Sequence, residues 1–227
     1  MILSRQRAFG GLCVVALAAT VAAQSSPGVH PVTGRVYART MSVEGAAWLE
    51  RPEREAEERP DLALRLLDVQ PGDMVADIGA GSGYYTIRLA RAVGPDGRVY
   101  ANDIQPGMLS ILTTNAFLAK LSNVVPVLGT QTRPNLPADR IDLVIMVDVY
   151  HEFSEPQAML QGVRQALKPG GRLALFEYRA EDPDVPILRD HKMTKAQVRQ
   201  EVEAEGFEQV RVFDDLPWQH LIVFRKP

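Results

Sequence analysis

Residues 77–85 read DIGAGSGYY, an acid followed by glycines at 79, 81 and 83. Glycines at alternate positions let a backbone turn sharply and approach a ligand, because no Cβ stands in the way. A helix starting at such a turn aims free N–H groups and its positive dipole end at the same point. Asp77 stands where a carboxylate could meet an ammonium group through charge-assisted hydrogen bonds. A second acid, Asp103, lies twenty positions beyond Gly83 and could take both hydroxyls of a ribose. The dinucleotide fingerprint G-x-G-x-x-G is not met. Its last glycine position holds Tyr84, whose ring would fill the space where pyrophosphate and helix must pack. The form D-x-G-x-G-x-G suits a ligand with a cationic amino acid part.

A second group of chemistry-bearing residues follows. In DVYHEF (148–153), His151 is the candidate general base, since imidazole titrates near neutrality. Glu152 could orient it, and Asp148 could face a cofactor or substrate; the competing reading makes His151 and Glu152 solvated or cap-like. Tyr84 and Tyr85 open a helix, and one of them, Tyr85 by preference, could wall the reaction pocket; core packing is the competing reading. EYRAEDPDVPILRDHKM (177–193) is a long connection that could cover a site, with Glu177 at its start and His191 near its end. Asp148, His151, Glu152, Glu177 and His191 could hold a divalent metal if they converged. Their spacing matches no tight ligand motif, so no metal is expected. His220 lies in an apolar strand and reads as a hydrogen-bonded structural histidine. WLERPEREAEERPD (48–61) reads as a solvated helical cover, or alternatively as a segment whose Trp48 and Arg51 close over a substrate entrance.

These residues need a scaffold, and the pattern from Pro71 onward supplies one. MVADI (74–78), RVYAND (98–103), NVVPVLG (123–129), RIDLVIMVDV (140–149) and RLALFEY (172–178) are short apolar runs bounded by turn signals, as for buried parallel strands. Pro126 places the third near an edge, and the strong apolarity of the fourth places it centrally. Between them lie amphipathic helices, including 154–171 and 194–206, each opening with capping-box spacing (Ser154 with Gln157, Thr194 with Gln197). FEQVRVF (207–213) and WQHLIVF (218–224) close the chain, too near each other for a crossover, so one of them runs antiparallel. The expected fold is α/β: a Rossmann-like, doubly wound, seven-stranded sheet, mostly parallel, with one antiparallel strand near the C-terminus.

The chain has 227 residues and a net charge of −3, with 46% hydrophobic and 23% charged residues, as for an ordinary globular domain. The absence of a basic stretch argues against nucleic acid as a partner. The N-terminus differs from the rest: Arg5 and Arg7, then the apolar LCVVALAATVAA, then small residues before Gln24. That order is the pattern of a secretory signal peptide, and the apolar run is shorter than the ~20 residues of a membrane-spanning helix. Residues 1–23 are therefore expected to direct export to the periplasm or beyond, with no stable membrane span after cleavage. Cleavage near Ala23 would remove Arg5, Arg7 and Cys13, taking the charge from −3 to −5 and leaving no cysteine. Residues 24–41, rich in Ser, Pro and Gly, read as a linker or loosely packed arm. The expected organisation is signal 1–23, linker and helical cover 24–59, and main domain 60–227.

VADIGAGSGYYTIRLA, VYANDIQPGML, RIDLVIMVDVYHEF and LKPGGRLALFEY, in this order and spacing, resemble the class I S-adenosylmethionine-dependent methyltransferases. The resemblance covers roughly residues 60–227. It implies S-adenosylmethionine as cofactor, with Asp77, Gly79, Gly81 and Gly83 at its methionine end, Asp103 on the ribose and Ile104 beside the adenine. Many relatives carry an acid after the third strand that touches the adenine; here LGTQTRPNLP offers Thr130 and Gln131, so Thr130 is the candidate contact and the interaction differs. The whole chain is also similar to a bacterial group of exported, methyltransferase-like proteins that share the WLERPERE, VDVYHEF, EYRAEDP and HKM segments. The implied activity is methyl transfer to a small molecule, with His151, Tyr85 and Glu152 as catalytic candidates. The alternative is an exported binding protein on the same fold, motivated by the export signal. An NAD-dependent oxidoreductase is disfavoured by Tyr84.

Overall fold

The computed structural model describes residues 28–227; the export-signal reading concerns residues 1–23, outside the described residues. The elements run α1 (Ala46–Leu49), α2 (Arg54–Glu58), α3 (Pro60–Leu67), β1 (Met74–Ile78), α4 (Tyr84–Val93), β2 (Arg98–Asp103) and α5 (Pro106–Leu118). They continue with β3 (Val124–Leu128), β4 (Ile141–Val147), α6 (Pro156–Ala166), β5 (Leu167–Arg179), β6 (Lys192–Met193), α7 (Lys195–Glu203), β7 (Glu208–Phe213) and β8 (Gln219–Arg225). Among the described residues no helix is long and apolar enough to cross a membrane.

The sheet order is β3-β2-β1-β4-β5-β8-β7, with β4 in the centre and Pro126-containing β3 at an edge. Among the strands of the described sheet, β8 alone runs against its neighbours, β5 and β7. The expected sheet is thus present, with one addition: two-residue β6 pairs with Tyr178 and Arg179, beyond the point where β4 leaves β5 at Phe176. Alternate residues of the central strands face two separate cores. Val144, Met146, Leu173, Leu175 and Ile222 pack with Leu160, Val163, Val198 and Val202 from α6 and α7. Leu143, Ile145, Ala174, Phe176 and Leu221 pack with Leu67, Leu89, Ala90 and Val93 from α3 and α4. Burial on both faces explains why these strands read as unbroken apolar runs. Each fully buried Leu or Val contributes about 1.5–3 kcal/mol.

Three local expectations change. Ser154 and Gln157 form no capping box: Pro156 occupies the first helical position, the helix begins after Glu155, and the Gln157 amide donates to Glu205 instead. The same helix ends at Ala166 rather than at Gly171, because Pro169 disfavours helical geometry at Lys168 and the chain enters β5 at Leu167. Residues 28–41, read as a loose arm, are packed. Arg35 is buried; its Nε and Nη2 donate to Glu201 at 3.1 and 2.9 Å, and its Nη1 donates to the His151 carbonyl at 2.9 Å. The partner Glu201 lies in α7, so no local periodicity announces the docking.

The second capping box does form, with Thr194 Oγ1 accepting from Gln197 N–H at 3.1 Å and Gln197 Oε1 accepting from Thr194 N–H at 2.9 Å. Thr194→Ala is expected to lower stability by about 1 kcal/mol, and Ser154→Ala to leave it almost unchanged. Urea unfolding of both variants checks this, and equal losses would refute the assignment.

Candidate functional site

The strand order reverses between β1 and β4, and the carboxyl ends of those strands open into a cavity of about 560 Å³. Gly79 and Gly81 form one wall, both with positive φ (70° and 54°), where side chains are strained. A Cβ on Gly79 would overlap the Val149 side chain, and one on Gly81 would come within 2.7 Å of Leu49 Cδ1. Asp103, at the end of β2, is almost fully buried. Its Oδ2 accepts from Gly81 N–H at 3.0 Å and its Oδ1 from Gln105 N–H at 2.9 Å. Each oxygen keeps a further acceptor site, which suits a pair of ribose hydroxyls. Burial raises the Asp103 pKa, opposed by these N–H groups. Ile104 lies beside it in the wall, 37% exposed, as an apolar surface for a base.

Asp148, just after β4, also lines the cavity, with left-handed backbone (φ 49°). Gln219 Nε2 donates to its Oδ2 at 2.6 Å, while its Oδ1 is buried without a hydrogen-bond partner among the described residues. Burial, together with Glu58 and Glu177, holds its carboxyl well above the usual range. Arg54 faces the same space and was missed by the sequence reading, which took its segment as solvated. Its Nε and Nη2 donate to Glu58 at 2.6 and 2.9 Å, its Nη1 donates to the Leu49 carbonyl at 2.7 Å, and it stacks on the Tyr84 ring at 4.0 Å. The i,i+4 spacing of Arg54 and Glu58 was the available signal. Of the proposed closing pair, Trp48 lines the cavity; Arg51 stacks on it 3.4 Å from the ring centroid and stays outside the lining.

His151 is buried and also lines the cavity. Its Nδ1 lies 2.6 Å from Glu177 Oε2, and its Nε2 lies 3.1 Å from His191 Nδ1. Glu177, not Glu152, orients the imidazole; this corrects the expected pairing. The cause is topological: Glu177 sits in β5 beside the end of β4, whereas Glu152 turns toward His191, 3.9 Å from its Nδ1. Burial opposes charge on His151, but Glu177 raises its pKa above the ordinary value; burial and the His151 charge lower that of His191. Burial pushes Glu152 up to about 7. Pro186, Ile187 and Leu188 from the long connection cover this end, as its length suggested.

Four of the proposed residues do not line the cavity. Asp77 lies beneath the turn, accepting from Thr86 Oγ1 at 2.6 Å, so it braces the turn instead of meeting a ligand. Gly83 caps α4 with φ 95°. Tyr85 points into the core between Tyr84 and Phe176, its hydroxyl buried, because the helix face it occupies packs on β5. Thr130 is exposed and accepts from Arg133 N–H at 3.0 Å within its own loop; neighbouring Gln131 lines the cavity. His220 is buried, with Nε2 3.0 Å from the Met193 carbonyl, as a structural histidine should be.

The position of Asp77 has a measurable consequence. Burial raises its pKa from 3.8 to about 6. The native state therefore holds the proton longer than the unfolded state, and stability falls as pH rises between about 4 and 6. Asp77→Asn removes that dependence and is expected to gain up to about 3 kcal/mol above that window and nothing below it. Urea midpoints of both proteins across pH check this, and parallel pH profiles would refute it.

Residues 75–171 match a family described as a methyltransferase domain. The chain is 31% identical over 119 residues to the ubiquinone/menaquinone biosynthesis C-methyltransferase UbiE of Teredinibacter turnerae, covering 51% of this chain and 47% of that one. It is 32% identical over 107 residues to an arsenite methyltransferase of Halobacterium salinarum, covering 47% of this chain and 27% of that one. The matched stretch thus spans about half or less of each relative. A solved S-adenosylmethionine-dependent methyltransferase from Aquifex aeolicus superposes with a TM-score of 0.79 at 24% identity, over 83% of this chain and all of that one, which shows a shared fold. Residues 75–171 thus match a methyltransferase domain, and the chain shares the fold of a solved S-adenosylmethionine-dependent methyltransferase.

Proposed function

We propose that this protein binds S-adenosylmethionine and transfers its methyl group to a small-molecule acceptor. The observation that carries the reading is the glycine cradle braced on Asp103: Gly81 N–H donates to Asp103, and a Cβ on Gly79 or Gly81 would run into Val149 or Leu49 at the cavity wall. Asp103 would take the ribose hydroxyls and Ile104 the adenine. Asp148, with its unpartnered Oδ1, would receive the ammonium group, and the remaining N–H groups of Arg54 the carboxylate. When bound, S-adenosylmethionine supplies a sulfonium whose methyl carbon is already electrophilic. The chain then has to hold the acceptor in line and remove its proton. His151, fixed by Glu177, is placed to take that proton at Nε2. The arm and residues 186–188 border this space and would limit the access of water to it. The names of the relatives point to quinones and arsenite as acceptor classes to try first. The basic, apolar and small-residue order of residues 1–23 supports export of the chain, which cell fractionation checks by recovery outside the cytoplasm.

Calorimetric titration of the protein with S-adenosylmethionine and with S-adenosylhomocysteine should show micromolar binding of both. Asp103→Ala should abolish it, and Asp148→Asn should weaken S-adenosylmethionine about tenfold or more. No binding of either by a protein shown to be folded would overturn the proposal; binding without transfer to any acceptor would favour a binding protein.

A further inference from the structure

We infer that His151, Glu152 and His191 form a site for one divalent first-row transition-metal ion, opening into the cavity. Their ligand atoms all lie within 4.8 Å of one another. His151 Nε2 and His191 Nδ1 are 3.1 Å apart. Two nitrogens each about 2.0–2.1 Å from a metal, at a coordination angle between square and tetrahedral, stand roughly 3 Å apart. Two imidazole nitrogens facing each other at this distance repel through their lone pairs unless a proton or a metal lies between them. Glu152 Oε1, 3.9 Å from His191 Nδ1, completes the set by closing in on the two nitrogens.

The surroundings are those of a metal site. Glu177 holds His151 at Nδ1, which leaves Nε2 as the ligand atom and fixes the ring, as carboxylates do behind metal-bound histidines. Glu177 Oε1 and Asp148 Oδ1 are buried without partners among the described residues, so acceptor oxygens beside the cluster remain unsatisfied. The three ligands all line the cavity, leaving further coordination positions open to a bound molecule. Two imidazoles and one carboxylate suit zinc, cobalt or iron and not the all-oxygen preference of magnesium or calcium. The fold explains why no sequence motif exists: β6 extends alongside β5 where β4 has ended, bringing His191 to the residues that follow β4. One part rests on the proposed methyl transfer and modifies it: with Nε2 on the metal, His151 no longer takes the acceptor's proton, and the open positions would instead hold an acceptor oxygen or sulfur as its anion, lowering its pKa.

The test uses the full-length, untagged protein, stripped with a chelator and titrated with Zn²⁺ by calorimetry and with Co²⁺ by visible absorption. Binding of one equivalent is expected, together with cobalt bands in the visible range. His191→Ala and Glu177→Gln, checked for folding by circular dichroism, should each weaken binding about 10–100-fold. His220→Ala should leave it unchanged. Absence of stoichiometric binding by the folded protein, or binding unaffected by both His191→Ala and Glu177→Gln, would overturn the site. S-adenosylmethionine titrated into the same metal-free protein separates the two readings: cofactor binding without metal binding sinks the metal site alone, and metal binding without cofactor binding sinks the methyl-transfer reading alone.

Discussion

The Asp103 carboxylate joins the turn after β1 to the turn after β2 by accepting one backbone N–H from each. A buried carboxylate is costly unless hydrogen-bonded, and these two donors supply the compensation. Everything around the cradle leans on that link. Gly81 is held where Leu49 can rest on it, and Val149 fits against Gly79 only because no Cβ is present. Gln105, positioned by the same carboxylate, donates from its side chain to the Met41 carbonyl at 2.8 Å and so fastens the arm over the cavity.

The other half of the cavity is organised by charge. Arg54, Glu58, Glu177 and His151 are buried and Asp148 is half-buried, and of these Arg54, Asp148 and His151 line the cavity. Buried ions of this kind add little to stability when paired and cost several kcal/mol when one partner is removed. Their value lies in the low-dielectric setting, where charges act strongly on each other and on whatever enters. The raised pKa of Asp148 and the opposite shifts of His151 and His191 are signs of that coupling. Groups so perturbed, gathered in one concave space, are what a site for acid–base or electrostatic work requires.

Much of the scaffold was legible in the chain because it follows from local pattern. The limits of β1 and β2, the edge place of β3, the central place of β4 and the reversed closing strand all follow from apolar runs, proline and connection length. Capping was legible at Thr194, where nothing competes, and misleading at Ser154, where Pro156 takes the first helical position. Long-range packing was not legible. The arm docks through Arg35 onto Glu201, and Arg54 looks like one more surface charge until α2 is seen packed on Tyr84.

The sequence by itself determined the parts of the cradle, the alternating glycines, the acid that ends β2 and the strands that carry them, since each is a local pattern; the bond from Gly81 to Asp103 that joins them came from the pairing of β1 with β2. It also named the residues of the second group, Asp148, His151, Glu152, Glu177 and His191, but not their pairing. Only the tertiary structure decided that Glu177 and not Glu152 holds His151, that Asp77 braces the turn from below, and that Tyr85 and Thr130 face elsewhere. The physical reason is distance along the chain. A side chain's partner across a sheet is set by register and by the direction in which its backbone presents it, and both come from the assembled sheet, not from its neighbours in sequence.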